Sequence, residues 1–118
     1  MADLEFKVAA ASSDGIVINR HFGRAERFLI FEVKDDELKY LETRNTSPIC
    51  SYQEHDDLKL EETINKLIDC KYVLVARIGI GAENALNSKG IEAYEIPGVI
   101  TESIEQLIKH IKIKQLFE

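Results

Sequence analysis

The sequence predicts an α/β domain in which three helices cover a mixed β-sheet. Before position 45, β-branched and aromatic runs are separated by short polar turns, which is typical of antiparallel strands. After position 57, helix-spaced apolar residues alternate with short continuous apolar runs, and strands separated by helices favour parallel pairing. The chain has 118 residues, enough to bury a core, so we expect a single domain over residues 1–118.

The first third of the chain is predicted to be an antiparallel meander. Its strands are predicted at residues 5–11, 16–18, 27–34 and 37–44. The first pair is joined by a polar turn that ends in Gly15, where a positive φ costs little. Asp35 and Asp36 form the last turn. This spacing predicts that each strand pairs with the next.

The middle of the chain changes character. Residues 45–57 contain Pro48 and few apolar side chains, so a loop is predicted, of a length often associated with binding loops or lids. From residue 58 the apolar period becomes helical. The predicted buried face of this first helix consists of Leu60, Ile64, Leu67 and Ile68.

The last part of the chain is predicted to contain two strands and two helices. Residues 72–76 form an apolar run typical of a strand covered on both faces, and residues 91–96 form the next strand. Gly90 ends the short helix between them, where a left-handed cap belongs. Thr101 is predicted to cap the last helix, with Glu102 near its positive end. Its buried stripe consists of Ile104, Leu107, Ile108 and Ile111.

Charge and hydropathy exclude several classes of function. The net charge of -6 argues against non-specific nucleic-acid binding and against a polybasic membrane anchor. The first residues do not form a signal peptide, and no stretch approaches the roughly 20 apolar residues of a membrane helix. We therefore expect a cytoplasmic protein without nucleic-acid or membrane partners.

The two cysteines are far apart in sequence and form no C-x-x-C pair, so we expect no disulfide in a reducing cytosol. Cys70 precedes a buried strand and is expected to be a small core residue. Cys50 has His55 five positions later, and a thiolate and an imidazole are both ligands for soft metals. The alternative is an incidental loop cysteine, since two ligands are too few for a structural zinc site.

The segment 19–28 carries the most informative chemistry. It combines the imidazole of His21 with Gly23 and with three guanidinium groups, those of Arg20, Arg24 and Arg27. Imidazole binds iron well, arginines favour anions, and glycine lets the backbone approach a bulky ligand. This combination suits an anion with an exposed metal atom. The alternative is a surface histidine beside arginines that are solvated or paired with Glu26 and Glu32.

A glycine turn at residues 79–81 lies between a predicted buried strand and a helix. Free N–H groups at a helix start attract anions, although the full G-x-G-x-x-G pattern is absent. The alternative is simply a tight strand-to-helix turn. Because crevices form at the carboxyl ends of strands in α/β sheets, this turn and the 19–28 segment are candidates to face one ligand.

The sequence contains none of the common hydrolase, metalloprotease or phosphate-loop motifs. Asp14 is explained as a turn residue beside Gly15, and Glu32 as a solvent-facing strand residue. These carboxylates therefore do not predict a two-metal nuclease site. We expect a protein that is not an enzyme.

The block of residues 21–25 and the strand at 28–32 resemble the dinitrogenase iron–molybdenum-cofactor biosynthesis family, which includes NifX-type carriers and the C-terminal domain of NifB. The resemblance extends to residues 7–15, 79–86 and 89–91 and to the start of the last helix, so it covers nearly the whole chain. The H-F-G-x-A block is its most specific part.

The resemblance implies a ribonuclease H-like fold and non-catalytic binding or carrying of an iron–sulfur or iron–molybdenum-type cluster as cargo. It implies that His21 is a metal ligand. Cys50 stays a further candidate ligand from its own chemistry. The expected cofactor-binding residues are Arg20, His21, Phe22, Gly23, Arg24, Gly79 and Gly81. The implied partners are cluster donor and acceptor proteins, and a monomer is favoured.

Two other hypotheses stay open at this point. One is a regulatory or interaction module of the same fold that binds a small anion or a partner protein. The other is an enzyme such as a nuclease, which the fold alone would suggest and for which fold analogy is weak support. Cluster binding separates the carrier from the module, and a nuclease assay tests the enzyme.

Overall fold

The structure is a computed structural model that describes residues 4–48, 50–51, 54–55 and 57–117, with only the backbone described at 50–51 and 54–55. The long strands are β1 (Glu5–Ala11), β3 (Arg27–Lys34), β4 (Glu37–Asn45), β7 (Tyr72–Val75) and β8 (Glu92–Glu95). The two-residue strands are β2 (Val17–Ile18), β5 (Cys50–Ser51), β6 (Glu54–His55) and β9 (Gly98–Val99). The helices are α1 (Asp57–Lys66), α2 (Ile80–Ser88) and α3 (Ile100–Leu116), and a 3₁₀ turn spans Phe22–Arg24.

The central sheet has five strands in the order β4-β3-β1-β7-β8. Strand β3 pairs antiparallel with both β1 and β4, whereas β7 pairs parallel with both β1 and β8. The predicted mixed sheet with three helices is therefore confirmed. The antiparallel part comes from residues before position 46, and the two late strands are parallel neighbours, as their helical connection favours.

The predicted hairpin between the first two strands is wrong. Strand β2 pairs antiparallel with β9, and the antiparallel partner of β1 is β3. The turn after β1 is closed by side chains instead: the Asp14 carboxylate accepts hydrogen bonds from the N–H groups of Ile16 and Val17 at 2.8 and 3.1 Å. These bonds lower the pKa of Asp14, and Gly15 has the expected positive φ of 79°.

The two faces of the sheet are covered by different helices. Alternate residues of a strand point to opposite faces, so Val8 packs with α3 whereas Ala9 packs with α1 and α2. The whole predicted stripe of α3 is buried, as are Ile64 and Leu67 from the α1 side. This packing leaves the loops at the carboxyl ends of β1 and β7 free to form a site.

Three local predictions at helix ends have different outcomes. Gly90 has a φ of 80° after α2, which confirms the left-handed cap. Thr101 does not cap α3, because the helix already begins at Ile100. Ile68 is 53% exposed rather than buried, because α1 ends at Lys66 before the helical face reaches it.

The predicted loop at 45–57 contains short regular structure. Strand β4 extends to Asn45, and β5 pairs antiparallel with β6 so that Cys50 is opposite His55. The loop prediction is therefore wrong for these strands, and positions 49, 52, 53 and 56 lie outside the described residues.

Within the described ranges, the protein has no helix with the length and apolar character needed to cross a bilayer.

Candidate functional site

The site lies where β1 and β7 end. Strand β1 pairs with β7 along residues 8–10. Past the end of β7, residues 20–22 lie beside the chain at residues 76–77 in place of β1. The Ala76 N–H donates to the Arg20 carbonyl at 2.9 Å, and the Phe22 N–H donates to the Arg77 carbonyl at 2.8 Å. His21 and Arg77 are thereby paired as in a parallel sheet.

The pairing creates an open cavity of about 250 Å³ between the two loops. Its lining residues are His21, Gly23, Arg24, Arg77, Ile78 and Gly79. The structure therefore brings together four of the sequence-predicted site residues: His21, Gly23 and Arg24 from one side of the predicted crevice and Gly79 from the other. The carboxyl-end position agrees with the expectation for α/β sheets.

The cavity is electropositive although the chain is acidic overall. The side chains of Arg24 and Arg77 are exposed, and neither forms a salt bridge with a carboxylate in the part of the chain that the structure describes. The alternative pairing with Glu26 or Glu32 is thus not observed. Two guanidinium groups and an imidazole at one opening can attract an anion and offer one nitrogen ligand.

Arg20 is not at this cavity. It lines a separate recess of about 120 Å³ together with Ser12, Ser13, Glu26 and Arg27. Its backbone carbonyl still accepts the Ala76 N–H, so Arg20 helps to hold the two loops together through the main chain. The structure consequently divides the predicted arginines between two recesses.

Two further predicted residues lie away from the cavity lining. Phe22 is only 1% exposed, and its ring packs against Phe28 with centroids 5.8 Å apart. It therefore anchors the His21 segment in the core. Gly81 lies in the first turn of α2, and a Cβ atom there or at Gly79 would meet nothing within 4 Å. Neither glycine is required by crowding within the protein.

Cys50 and His55 are next to the site by backbone position. Strand β5 lies against the 22–24 turn, and the Cys50–His55 register keeps these two residues opposite each other. Their side chains lie outside the described residues, so the metal ligation predicted for Cys50 stays a prediction. Among the described residues, no three His, Cys, Asp or Glu side chains converge as a metal site.

Cys70 is a buried free thiol, 3% exposed, as predicted. Burial raises its pKa to about 12, so the free thiol is protonated at neutral pH.

Arg77 is the residue that the sequence reasoning missed. It directly follows a strand that was correctly predicted to be buried and parallel. Because ligands bind at the carboxyl ends of such strands, a charged residue at this position was a detectable signal. A second missed residue is Glu95 at the end of β8, whose carboxylate accepts the Ile78 N–H at 2.9 Å.

The chain is similar to proteins of nitrogenase cofactor assembly. The family model described as dinitrogenase iron-molybdenum cofactor matches residues 5–110. The FeMo cofactor biosynthesis protein NifB of Frankia alni is 36% identical over 103 residues, which cover 85% of this chain and 20% of that protein. The protein NifX of Klebsiella pneumoniae is 29% identical over 107 residues, which cover 91% of this chain and 65% of NifX.

A solved structure from Methanocaldococcus jannaschii, described as a candidate dinitrogenase, shares the fold. Its TM-score is 0.63 at 19% identity, with 91% of each chain covered. The match to NifB covers only a part of the relatives: the chain spans 20% of the Frankia alni protein and 26% of that of Chlorobaculum tepidum.

Proposed function

The chain belongs to the dinitrogenase iron-molybdenum cofactor family, and we propose that it acts in nitrogenase cofactor biosynthesis as a non-catalytic carrier of a metal–sulfur cluster. The cargo is an iron–sulfur or iron–molybdenum-type cluster or its precursor. It is received from one protein and passed to another in the cytoplasm. The proposal includes a single domain over residues 1–118 and a ribonuclease H-like fold, which the strand order β4-β3-β1-β7-β8 supports.

The observation that carries this proposal is that His21 lines one cavity with two guanidinium groups that have no carboxylate partner among the described residues. In the proposed complex the imidazole binds an exposed metal atom of the cluster. Arg24 and Arg77, which line the same cavity, bind its anionic surface through charge and several N–H donors. The Gly79 turn leaves room for a bulky ligand beside His21, since a Cβ there would meet nothing within 4 Å.

The charge of the cavity also selects the form of the cargo. A bare divalent cation next to His21 would be repelled by both guanidinium groups, whereas an anionic cluster would be attracted by them. The proposed site therefore favours a preassembled cluster over free metal ions. Cys50 is proposed as a second ligand, because β5 lies against the 22–24 turn.

The experiment that tests the proposal measures binding of a synthetic [4Fe–4S] thiolate cluster under anaerobic conditions. Visible absorption that comigrates with the protein on gel filtration reports the complex. His21→Ala should lower the affinity about tenfold or more, which corresponds to about 1.4 kcal/mol or more, while the far-ultraviolet circular dichroism stays unchanged. His110→Ala is the matched control, because His110 is exposed on α3 and packs edge-on against Tyr94 away from the cavity.

Cys50→Ser separates the two candidate ligands. If the spectrum and the affinity change with Cys50→Ser and survive His21→Ala, thiolate ligation replaces the assignment of His21. If the parent protein binds no cluster, the carrier proposal fails.

In that event the second candidate is a regulatory or interaction module of the same fold. The same basic cavity supports it, because Arg24 and Arg77 would also bind a small oxyanion. This candidate is tested by titrating the protein with inorganic phosphate and monitoring the NMR signals of the His21 imidazole. Phosphate binding without cluster binding favours the module.

A further inference from the structure

The segment 76–79 presents one side of the cavity, and its backbone is held from two directions. From the His21 side, the chain at residues 20–22 supplies one acceptor and one donor, at 2.9 and 2.8 Å. From the opposite side, the Glu95 carboxylate accepts the Ile78 N–H at 2.9 Å. Arg77 lies between these two attachments.

The Ile78 N–H has no place in regular structure. Strand β7 ends at Val75 and α2 begins at Ile80 with Gly79 before it, so this donor belongs to neither element. Its bond to the Glu95 carboxylate joins the loop to β8 and so restricts where the loop lies. The attachments on the His21 side are made by the main chain, whereas the one on the β8 side is made by a side chain.

Glu95 is placed for this task by the sheet. It is the last residue of β8, opposite Val75 in the parallel pairing of β7 with β8. It does not line the cavity of His21, Arg24 and Arg77, so it acts behind the loop rather than on the ligand. A carboxylate that pointed into the cavity would repel an anion, and this position avoids that.

We propose that Glu95 is a positioning residue for ligand binding: its bond to the Ile78 N–H holds the 76–79 loop so that Arg77 lies beside His21. The inference rests on the proposed function for the nature of the ligand, but its structural part can be tested without a ligand. The cavity lining does not reveal this role, because Glu95 acts on the ligand through the 76–79 loop and chiefly through Arg77.

The binding experiment compares five variants with the parent, using the synthetic [4Fe–4S] thiolate cluster. Glu95→Ala should weaken binding about three- to tenfold, as is typical for residues that act through another group. Glu95→Gln keeps an acceptor oxygen and should stay within about twofold of the parent. In the Arg77→Ala background, Glu95→Ala should have almost no further effect, because the two residues act in one chain of contacts.

Glu92→Ala is the matched control on the same strand, because Glu92 pairs with Lys114 at 3.6 Å and is remote from the loop. It should bind the cluster like the parent. Parent-like binding by Glu95→Ala, an equal loss in Glu95→Gln, or an undiminished loss in the Arg77→Ala background would each overturn the proposal.

Amide hydrogen exchange supplies a readout that needs no cluster and so separates this inference from the proposed function. The Ile78 amide should exchange faster in Glu95→Ala than in the parent and in Glu92→Ala, while core amides such as that of Val73 stay protected. Unchanged Ile78 exchange overturns the positioning role even if the parent binds the cluster. Faster exchange supports the attachment even if no cluster binds and the carrier proposal fails.

Discussion

Arginine side chains in two regions of this molecule differ in whether a carboxylate is bound to them. Arg44 on β4 donates to both carboxylate oxygens of Asp69 at 2.6 and 2.8 Å, and to the Lys66 carbonyl at 2.6 Å. Lys7 of β1 binds the same carboxylate at 3.2 Å. Arg24 and Arg77, by contrast, have no carboxylate partner within the described ranges and open into a cavity.

The difference separates a structural role from a binding role. The fork of Arg44 joins β4 to the turn after α1, and its partners satisfy most of its donors. Among the described residues nothing accepts from the side-chain donors of Arg24 and Arg77, which are left for solvent or for a ligand. The guanidinium groups without a described partner therefore indicate the binding site. Substituting them should change ligand affinity, whereas disrupting the Arg44 contacts should change the free energy of unfolding.

The largest effect is expected from the double substitution Arg24→Ala and Arg77→Ala. Loss of two charge-assisted contacts should lower the affinity for a synthetic [4Fe–4S] cluster about hundredfold at low salt. The free energy of unfolding should change by less than about 0.5 kcal/mol, as for exposed positions. Cluster titration and urea unfolding measure the two quantities.

The salt dependence provides the check on this result. Because salt screens exposed charges, the gap between the parent and the double variant should narrow as ionic strength rises. A gap that is independent of salt, or a large loss of stability, would show that these arginines are structural like Arg44.

The second prediction concerns Asp69. Asp69→Ala leaves the Arg44 fork without its acceptor, so the free energy of unfolding should fall by about 1–2 kcal/mol, a value reduced for the partial exposure of the pair. Cluster binding should be unchanged. Glu105→Ala, at an exposed position of α3, is the control and should unfold like the parent in urea.

The stabilisation by Asp69 should depend on pH. The Arg44 guanidinium holds the pKa of Asp69 well below its ordinary value. The unfolded chain therefore takes up the proton first as the pH falls. The contribution is complete above about pH 5 and is lost progressively as the pH falls from about 4 through the lower pKa of the folded state. Urea unfolding at several pH values should show the parent and Asp69→Ala converging in acid. A constant difference down to about pH 2 would contradict the assignment.

The smallest effect is expected in the reactivity of the Cys70 thiol, which lies beside Asp69. With the thiol buried and its pKa raised to about 12, it should not react with a thiol reagent at about pH 8 in the folded Cys50→Ser protein. In urea it should react fully. Rapid reaction of the folded protein would mean that this region opens easily.

The sequence alone was sufficient for elements with a strong repeating pattern. The α3 stripe and the apolar run of β7 were predicted because burial dictates their spacing. The His21 segment was identified because its residue types are unusual together. Its proximity to the Gly79 turn was predicted because ligand crevices form at the carboxyl ends of strands in α/β sheets.

Pairings between distant segments could not be predicted from local patterns. Strand β2 has two residues, too few to show a period, and its partner is near the other end of the chain. Arg20 precedes the 3₁₀ turn at residues 22–24 whereas Arg24 ends it, and the two side chains line different recesses. Arg77 was not identified as a site residue, because its neighbour His21 is 56 positions away in the sequence.

The pairing of β2 with β9 has a consequence for the order of folding. Val17 contacts Val99 and Ile18 contacts Gly98, and the Ile100 N–H that starts α3 donates to the Ile16 carbonyl at 2.9 Å. Bringing β2 and β9 together closes a loop of about 80 residues, and the loss of chain entropy is offset locally by only a few hydrogen bonds. The β2–β9 pair should therefore form after the folding transition state, once the sheet and α3 are in place. Val17→Ala should then accelerate unfolding while leaving the refolding rate nearly unchanged.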